Sequence, residues 1–335
     1  MKAFVLQKPG QASIETVAEP VVAKGEVLLK VRMVGLCGSD LNSFRGLNPL
    51  VSYPRILGHE VSATVVDGDD SSMRIGTDVA LSPYTSCGQC ASCQRGRKNA
   101  CQFNQTLGVQ RDGALSEFIA VPREKLYAAK LTPKELCLVE PLTVGFHAAS
   151  RGRVTADDSV AVFGCGGVGL GAIAGSSSRG ARTICIDVDD EKLDLARRAG
   201  GTYTINSTRD RLHDRLLEMT DGRGPDVVIE AVGTPATFRA AVEEVAFAGR
   251  VVYIGYAKEP VSYETRLFVQ KELDILGSRN AGPEDFAAVI RLLEAGRFPV
   301  DEAVSLTVSL DEAPGALRSW SENPSRFKKI MVSLD

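Results

Sequence analysis

The sequence predicts an α/β protein in two parts, a β-rich domain followed by a doubly wound parallel sheet. Three observations carry that expectation. The 335-residue length exceeds one ordinary domain and suits two. Before Glu140-Pro141 the chain reads as short β-rich pieces; after it, apolar strands alternate with helix patterns. One of those strands runs directly into a glycine-rich turn, Gly164-Cys165-Gly166-Gly167-Val168-Gly169.

In the first part, Glu26–Arg32, Val61–Val66 and Phe118–Val121 carry the β-branched and apolar residues of strands. Glycine and proline separate them, as in a barrel or sandwich. In the second part, Ser159–Phe163, Thr183–Ile186, Asp226–Glu230 and Arg250–Ile254 are near-continuous apolar runs, the pattern of strands covered on both faces. Amphipathic helices such as Pro235–Phe247 lie between them. A helix over Pro283–Gly296 follows, then β-like pieces to Asp335. The expected domains are 1–142, 143–280 and a return to the first domain over 281–335.

Hydrophobic content of 44% and charged content of 24% are ordinary for a soluble globular chain. A net charge of −3 shows no bias towards nucleic acid or an anionic membrane. No apolar run approaches the ~18 residues of a membrane helix. The N-terminal run from Met1 is interrupted by Lys8 and Pro9 and lacks the form of a secretory signal. A cytoplasmic protein with reduced thiols is therefore expected.

Half of the 8 cysteines fall in one loop, Cys87, Cys90, Cys93 and Cys101, spaced C-x2-C-x2-C-x7-C. One short loop can aim four thiolates at a point, and a closed tetrahedron of soft sulfur is a structural zinc site. In a reducing compartment that reading outranks disulfides. Cys137 and Cys185 sit in apolar stretches and read as core thiols.

The glycine turn is G-x-G-x-x-G between a strand and a helix. Gly164 permits the tight turn, Gly166 the approach of a pyrophosphate, and Gly169 the close packing of helix on strand. Gly167 and Val168 open the helix whose N-terminal amides would face the phosphates. Asp187 ends the next strand, about 20 residues on, where a carboxylate accepts from the adenosine ribose. Its charge repels an added phosphate, so NAD is expected over NADP. Lys192 reads either as a cofactor-edge cation or as a solvated helix face.

Cys37, in Gly35-Leu36-Cys37-Gly38-Ser39-Asp40, and His59, in Gly58-His59-Glu60, are a second set of zinc ligand types. Cys, His and a carboxylate leave a fourth position open for substrate. Histidine is scarce, 3 in the chain, and His59 stands just before a strand. His147 reads as a packed helix residue and His213 as helix surface.

Taken together, these motifs, with Glu140-Pro141-Leu142-Thr143-Val144, resemble the zinc-dependent medium-chain alcohol dehydrogenases over essentially the whole chain. The polyol branch, sorbitol dehydrogenase-like, is more similar than the ethanol type. Asn48–Glu60 and Gly277–Phe286 are similar to bacterial sugar-acid dehydrogenases of the L-galactonate or L-gulonate type. The resemblance implies a GroES-like catalytic domain beside a Rossmann domain, NAD, and catalytic and structural zinc. It implies zinc on Cys37, His59 and either Glu60 or Glu140, with the other role for Glu140 that of holding water or substrate. Buried capping is the plain alternative for Glu140.

Ser39 is expected to pass the substrate proton outward, or else to cap a helix; Asp40 ties the loop down. Gly255, Ser278 and Arg279 fall to the cofactor site, and Ser43, Arg279 and Asn280 to the substrate. Arg111 reads as a carboxylate clamp or a surface cation. A homodimer or homotetramer is expected from the resemblance, with a small polyol or sugar acid as partner. Two competing readings are a threonine dehydrogenase-like enzyme and a non-catalytic dinucleotide sensor.

Overall fold

The computed structural model describes residues 1–68 and 73–335. They form two compact units, Met1–Glu140 with Val300–Asp335, and Pro141–Pro299. The expected boundaries therefore shift. Helix Pro283–Glu294, assigned from sequence to the C-terminal return, belongs to the second unit, and the return begins at Val300. The division at Glu140/Pro141 falls inside one continuous helix, Pro133–Arg151. Pro141 sits inside that helix at the cost of one backbone hydrogen bond.

The first unit is β-rich, as expected. A seven-stranded sheet runs Leu306–Ser309, Ile330–Ser333, Glu26–Leu36, Glu60–Gly68, Asp78–Leu81, Leu126–Ala128, with Phe118–Pro122 also paired to Glu26–Leu36. A three-stranded sheet of Gln11–Thr16, Lys2–Lys8 and Arg55–Ile56 accompanies it. Leu29, Val31, Val34, Val61, Ala63 and Ile330 are among the fully buried residues of the shared core. The C-terminal stretch is not wholly β-like: Ala313–Glu322 is a helix that buries Leu317 and Trp320.

The long strand Glu26–Leu36 is the organiser of this unit. It pairs antiparallel with Glu60–Gly68 on one side and with Ile330–Ser333 on the other. In these registers Gly35 faces both Glu60 and Met331. The end of one strand and the starts of two others, from three distant parts of the chain, thus meet at one place.

The second unit is a six-stranded parallel sheet in the order Tyr203–Asn206, Arg182–Asp187, Ser159–Phe163, Val227–Glu230, Arg250–Tyr253, Asp274–Gly277. All five residues of Ser159–Phe163 are buried. The order reverses at that strand, which creates the crevice where doubly wound sheets bind ligands. This is the expected Rossmann arrangement. No helix among the described residues is long and apolar enough to cross a membrane.

Candidate metal centres and cofactor site

The four-cysteine loop closes as its spacing requires. The sulfurs of Cys87, Cys90, Cys93 and Cys101 all lie within 4.8 Å of one another. The loop's own amides point at them: Cys87 N–H to Cys101 Sγ at 3.3 Å, Cys90 N–H to Cys87 Sγ at 3.3 Å, Phe103 N–H to Cys101 Sγ at 3.3 Å. Donors aimed at sulfur favour thiolate. The Ser92 hydroxyl and the amides of Cys93 and Gln102 pull Cys90 down to about 5. Cys93 rises to about 11, through burial and then the neighbouring Cys90. Several thiolates crowded together need a cation, and the donor set fits zinc.

The second cluster is assembled at the strand convergence. Cys37 follows strand Glu26–Leu36 and caps helix Gly38–Phe44, while His59 and Glu60 open the neighbouring strand. Ligand atoms of Cys37, His59 and Glu60 lie within 4.8 Å of one another. Glu140 lies outside that group; it accepts a short hydrogen bond from the Tyr84 hydroxyl and is 5% exposed.

Charge accumulates here. Burial raises the Asp40 and Glu140 carboxyls above their usual range. Burial works against a charged His59, yet Asp40, Cys37 and Glu140 hold its pKa well above the ordinary imidazole value. In this cluster three buried atoms have no hydrogen-bond partner among the described residues: Ser39 Oγ, Asp40 Oδ1 and His59 Nδ1. A buried cluster of thiol, imidazole and carboxylates with orphaned polar atoms suits a bound cation and its ligand water. The donor set again fits zinc, here with a position left open.

Asp40 does more than tie the loop. One oxygen accepts from the Cys37 amide at 2.8 Å, and the other faces His59 Nδ1 at 3.8 Å. Carboxylates behind metal-binding histidines orient the ring. Ser39 is not the helix cap, since Cys37 takes that place. Ser43 is corrected as a substrate residue: it is 0% exposed, its hydroxyl donates to Ser39 O and it accepts from Asn48.

Three residues here were not found from sequence. Lys329 donates to both oxygens of Glu60 at 2.7 Å and to Leu36 O at 3.2 Å, using its three protons. Tyr84 holds Glu140. Gly35 is needed because a Cβ there would lie 2.1 Å from Glu60 Oε2.

In the second unit, Gly164 sits at φ +90°, and a Cβ at Gly169 would lie 1.8 Å from Gly164 O. A Cβ at Gly166 would meet open space, the cradle a pyrophosphate needs. Gly167 and Val168 begin helix Gly167–Ser177. Asp187 accepts from the amides of Cys165 at 2.7 Å and Val188 at 2.8 Å, so it ties its strand end to the fingerprint. Two carboxylate oxygens offer further lone pairs for ribose hydroxyls. Lys192 lies in the first turn of helix Asp190–Arg198, its amide donating to the capping Asp189 at 3.3 Å.

Gly255 abuts Glu230, whose Oε2 would lie 2.4 Å from a Cβ there. Ser278 is buried with an unpartnered hydroxyl, Arg279 is exposed, and Asn280 has φ 53°; all three follow the edge strand Asp274–Gly277. His147 meets Asp285 at 2.9 Å and His213 meets Glu244 at 2.8 Å, so neither joins a site.

A dinucleotide fold joined to a unit with an open Cys-His-Glu cluster and a closed four-cysteine cluster defines a zinc-binding, nicotinamide-dependent oxidoreductase. The comparisons make that more specific. The family model for the alcohol dehydrogenase GroES-like domain matches residues 23–131, and that for zinc-binding dehydrogenases matches residues 167–295. An uncharacterised zinc-type alcohol dehydrogenase-like protein of Haemophilus influenzae is 33% identical, with 98% of each chain covered. L-galactonate-5-dehydrogenase of Escherichia coli K12 is 31% identical over 90% of this chain and 89% of its own. The structure of rspB, an alcohol dehydrogenase of Escherichia coli CFT073 complexed with NADH, superposes with a TM-score of 0.91 at 29% identity, covering 100% and 99%. The chain belongs to the zinc-type medium-chain alcohol dehydrogenase family and is an oxidoreductase acting on CH–OH groups.

Proposed function

We propose that the chain oxidises a secondary alcohol of a polyol or sugar acid, such as L-galactonate or L-gulonate, with NAD as acceptor. The observation that carries the reading is the grouping of Cys37, His59 and Glu60 within 4.8 Å, with His59 and Glu60 buried. The similarity to L-galactonate-5-dehydrogenase supports the substrate class. Asp187 at the ribose position supports NAD.

In this reading Cys37, His59 and Glu60 hold the catalytic metal, and Cys87, Cys90, Cys93 and Cys101 hold a structural one. When bound, zinc polarises the substrate hydroxyl and the nicotinamide accepts hydride. Lys329 fixes the Glu60 carboxylate at both oxygens. Asp40 orients His59. Ser39, with its unpartnered hydroxyl, takes up the substrate proton and passes it on. Glu140, fixed by Tyr84, accepts from the substrate or its water. Arg279 and Asn280 contribute to substrate or nicotinamide binding. The protein assembles as a homodimer or homotetramer.

The test combines metal analysis with NAD and NADP reduction over a panel of polyols, aldonates and hydroxy amino acids. About two zinc per chain and NAD-dependent turnover confined to polyols or aldonates is the expected result. Turnover of hydroxy amino acids alone, or of no secondary alcohol, overturns it.

A further inference from the structure

A cavity of about 190 Å³ lies within the first unit; it contains none of the proposed metal ligands but shares Tyr84 with the site described above. Its polar wall includes Arg111, Lys125, Ser82, Thr85 and Ser86, over an apolar floor that includes Leu107 and Val121. That volume is well above the ~10–15 Å³ one water needs. Ser82 N–H donates to Lys125 O at 2.8 Å, and Arg111 lies in a turn bridged to Leu107, so the backbone holds both cations on this wall.

Neither cation is neutralised. Among the described residues, the Arg111 guanidinium and the Lys125 ammonium form no ion pair and no side-chain hydrogen bond. Exposed Glu124 also lines the cavity, but it bridges to neither. Burial lowers the Lys125 pKa; Glu124 opposes that, and Lys98 and Arg111 lower it further. Two half-buried cations that repel each other are costly without a counter-charge. The rest of the chain carries a net charge that is negative, so the pairing of these two with nothing is not forced by a shortage of carboxylates.

We propose that this cavity is a binding site for one small oxyanion, a carboxylate or phosphate group gripped by Arg111 and Lys125 with the hydroxyls of Ser82 and Ser86. Arg111 offers a planar fork to two oxygens, and Lys125 a point charge to a third. Two sources share that chemistry: a free anion, or the acid group of the substrate. Tyr84 lines the cavity and its hydroxyl reaches Glu140, so the substrate source rests on the proposed function, whereas the oxyanion site itself does not.

Inorganic phosphate is the probe, titrated calorimetrically into the zinc-loaded protein at constant ionic strength set with chloride. Saturable binding at one site per chain is expected, weakened about 10- to 100-fold in Arg111→Gln and in Lys125→Gln. Lys125→Arg should keep binding and Lys125→Glu should abolish it, with zinc content and melting curve as folding controls. If the acid group of the substrate is the source, phosphate competes with an aldonate and Arg111→Gln raises KM at constant kcat. If a free anion is the source, inhibition is absent or non-competitive; both patterns support the site. Absence of saturable binding, or equal affinity in the Gln and Glu variants, overturns it whatever substrate the enzyme proves to use.

Discussion

The two candidate metal clusters share cysteine as a ligand type but are built in opposite ways. Cys87, Cys90, Cys93 and Cys101 come from one loop, and the loop's own amides hydrogen-bond their sulfurs. Cys37, His59 and Glu60 come from the ends of two paired strands, and the lysine behind Glu60 comes from position 329, immediately before a third. The local centre needs little but its metal to be complete. The distributed centre needs the whole first unit, because the sheet register is what brings Lys329 to Glu60. The difference teaches that a closed site can be written into one segment, whereas an open site must be held open by residues that never touch the reaction.

The comparison breaks most severely at the local centre. Cys93→Ser should remove one zinc per chain, from about two to about one. Structural zinc in small peptides is worth about 10–16 kcal/mol, so a large loss of melting temperature or of soluble protein is expected. A wild-type melting curve with that zinc gone would show that the loop is held by its hydrogen bonds alone.

At the distributed centre the same loss of one metal should spare the fold. Cys37→Ser or His59→Ala should cost at least about a thousandfold in kcat, on the order of 4 kcal/mol. NADH binding and the melting curve should stay near wild type, measured by cofactor fluorescence and calorimetry. Retained turnover in both variants removes the assignment of the reaction centre.

Lys329 tests how the second centre depends on the sheet. In the metal-free protein Lys329→Met leaves the buried Glu60 carboxylate unpaired, which costs about 3–5 kcal/mol. Combining it with Glu60→Gln should recover part of that loss, because the stranded charge is gone. Additive losses in the double variant, read from denaturant midpoints, would mean the two residues are not coupled.

That contrast also explains what was legible in the chain. The four-cysteine loop and the Gly164–Gly169 fingerprint are contiguous motifs whose spacing encodes their geometry, and both form as read. The metal types of Cys37 and His59 were legible, but the choice between Glu60 and Glu140 was not. Which of the two lies within 4.8 Å of Cys37 and His59 depends on the pairing of Gly35 with Glu60, which spacing does not encode. Lys329 stands in Arg326-Phe327-Lys328-Lys329, which carries no spacing motif; its burial to 8% follows from the pairing of the adjacent Ile330 with Leu36, nearly 300 positions away. The change of texture at Glu140-Pro141 does mark the division between the two units, although helix Pro133–Arg151 runs through it. Ser43 failed as a substrate residue because, although it shares the Cys37 loop, its helix face points into the core.

The smallest effect is the most discriminating. Asp40 serves both as the tie on the Cys37 amide and as the carboxylate facing His59 Nδ1. Asp40→Asn separates these. An amide oxygen still accepts from Cys37 N–H, so the loop keeps its anchor. The amide NH2 then faces His59 Nδ1 and favours the tautomer whose other nitrogen carries the proton, the wrong form for a metal ligand. Zinc affinity at this centre should fall about 10- to 100-fold, read by chelator competition, with the melting curve of the metal-free protein unchanged. Asp40→Ala, which loses both contacts, should show the same loss of affinity and a lower melting temperature. Unaltered affinity in Asp40→Asn would reduce Asp40 to a loop anchor, and the distributed centre would then rest on Lys329 and the sheet register alone.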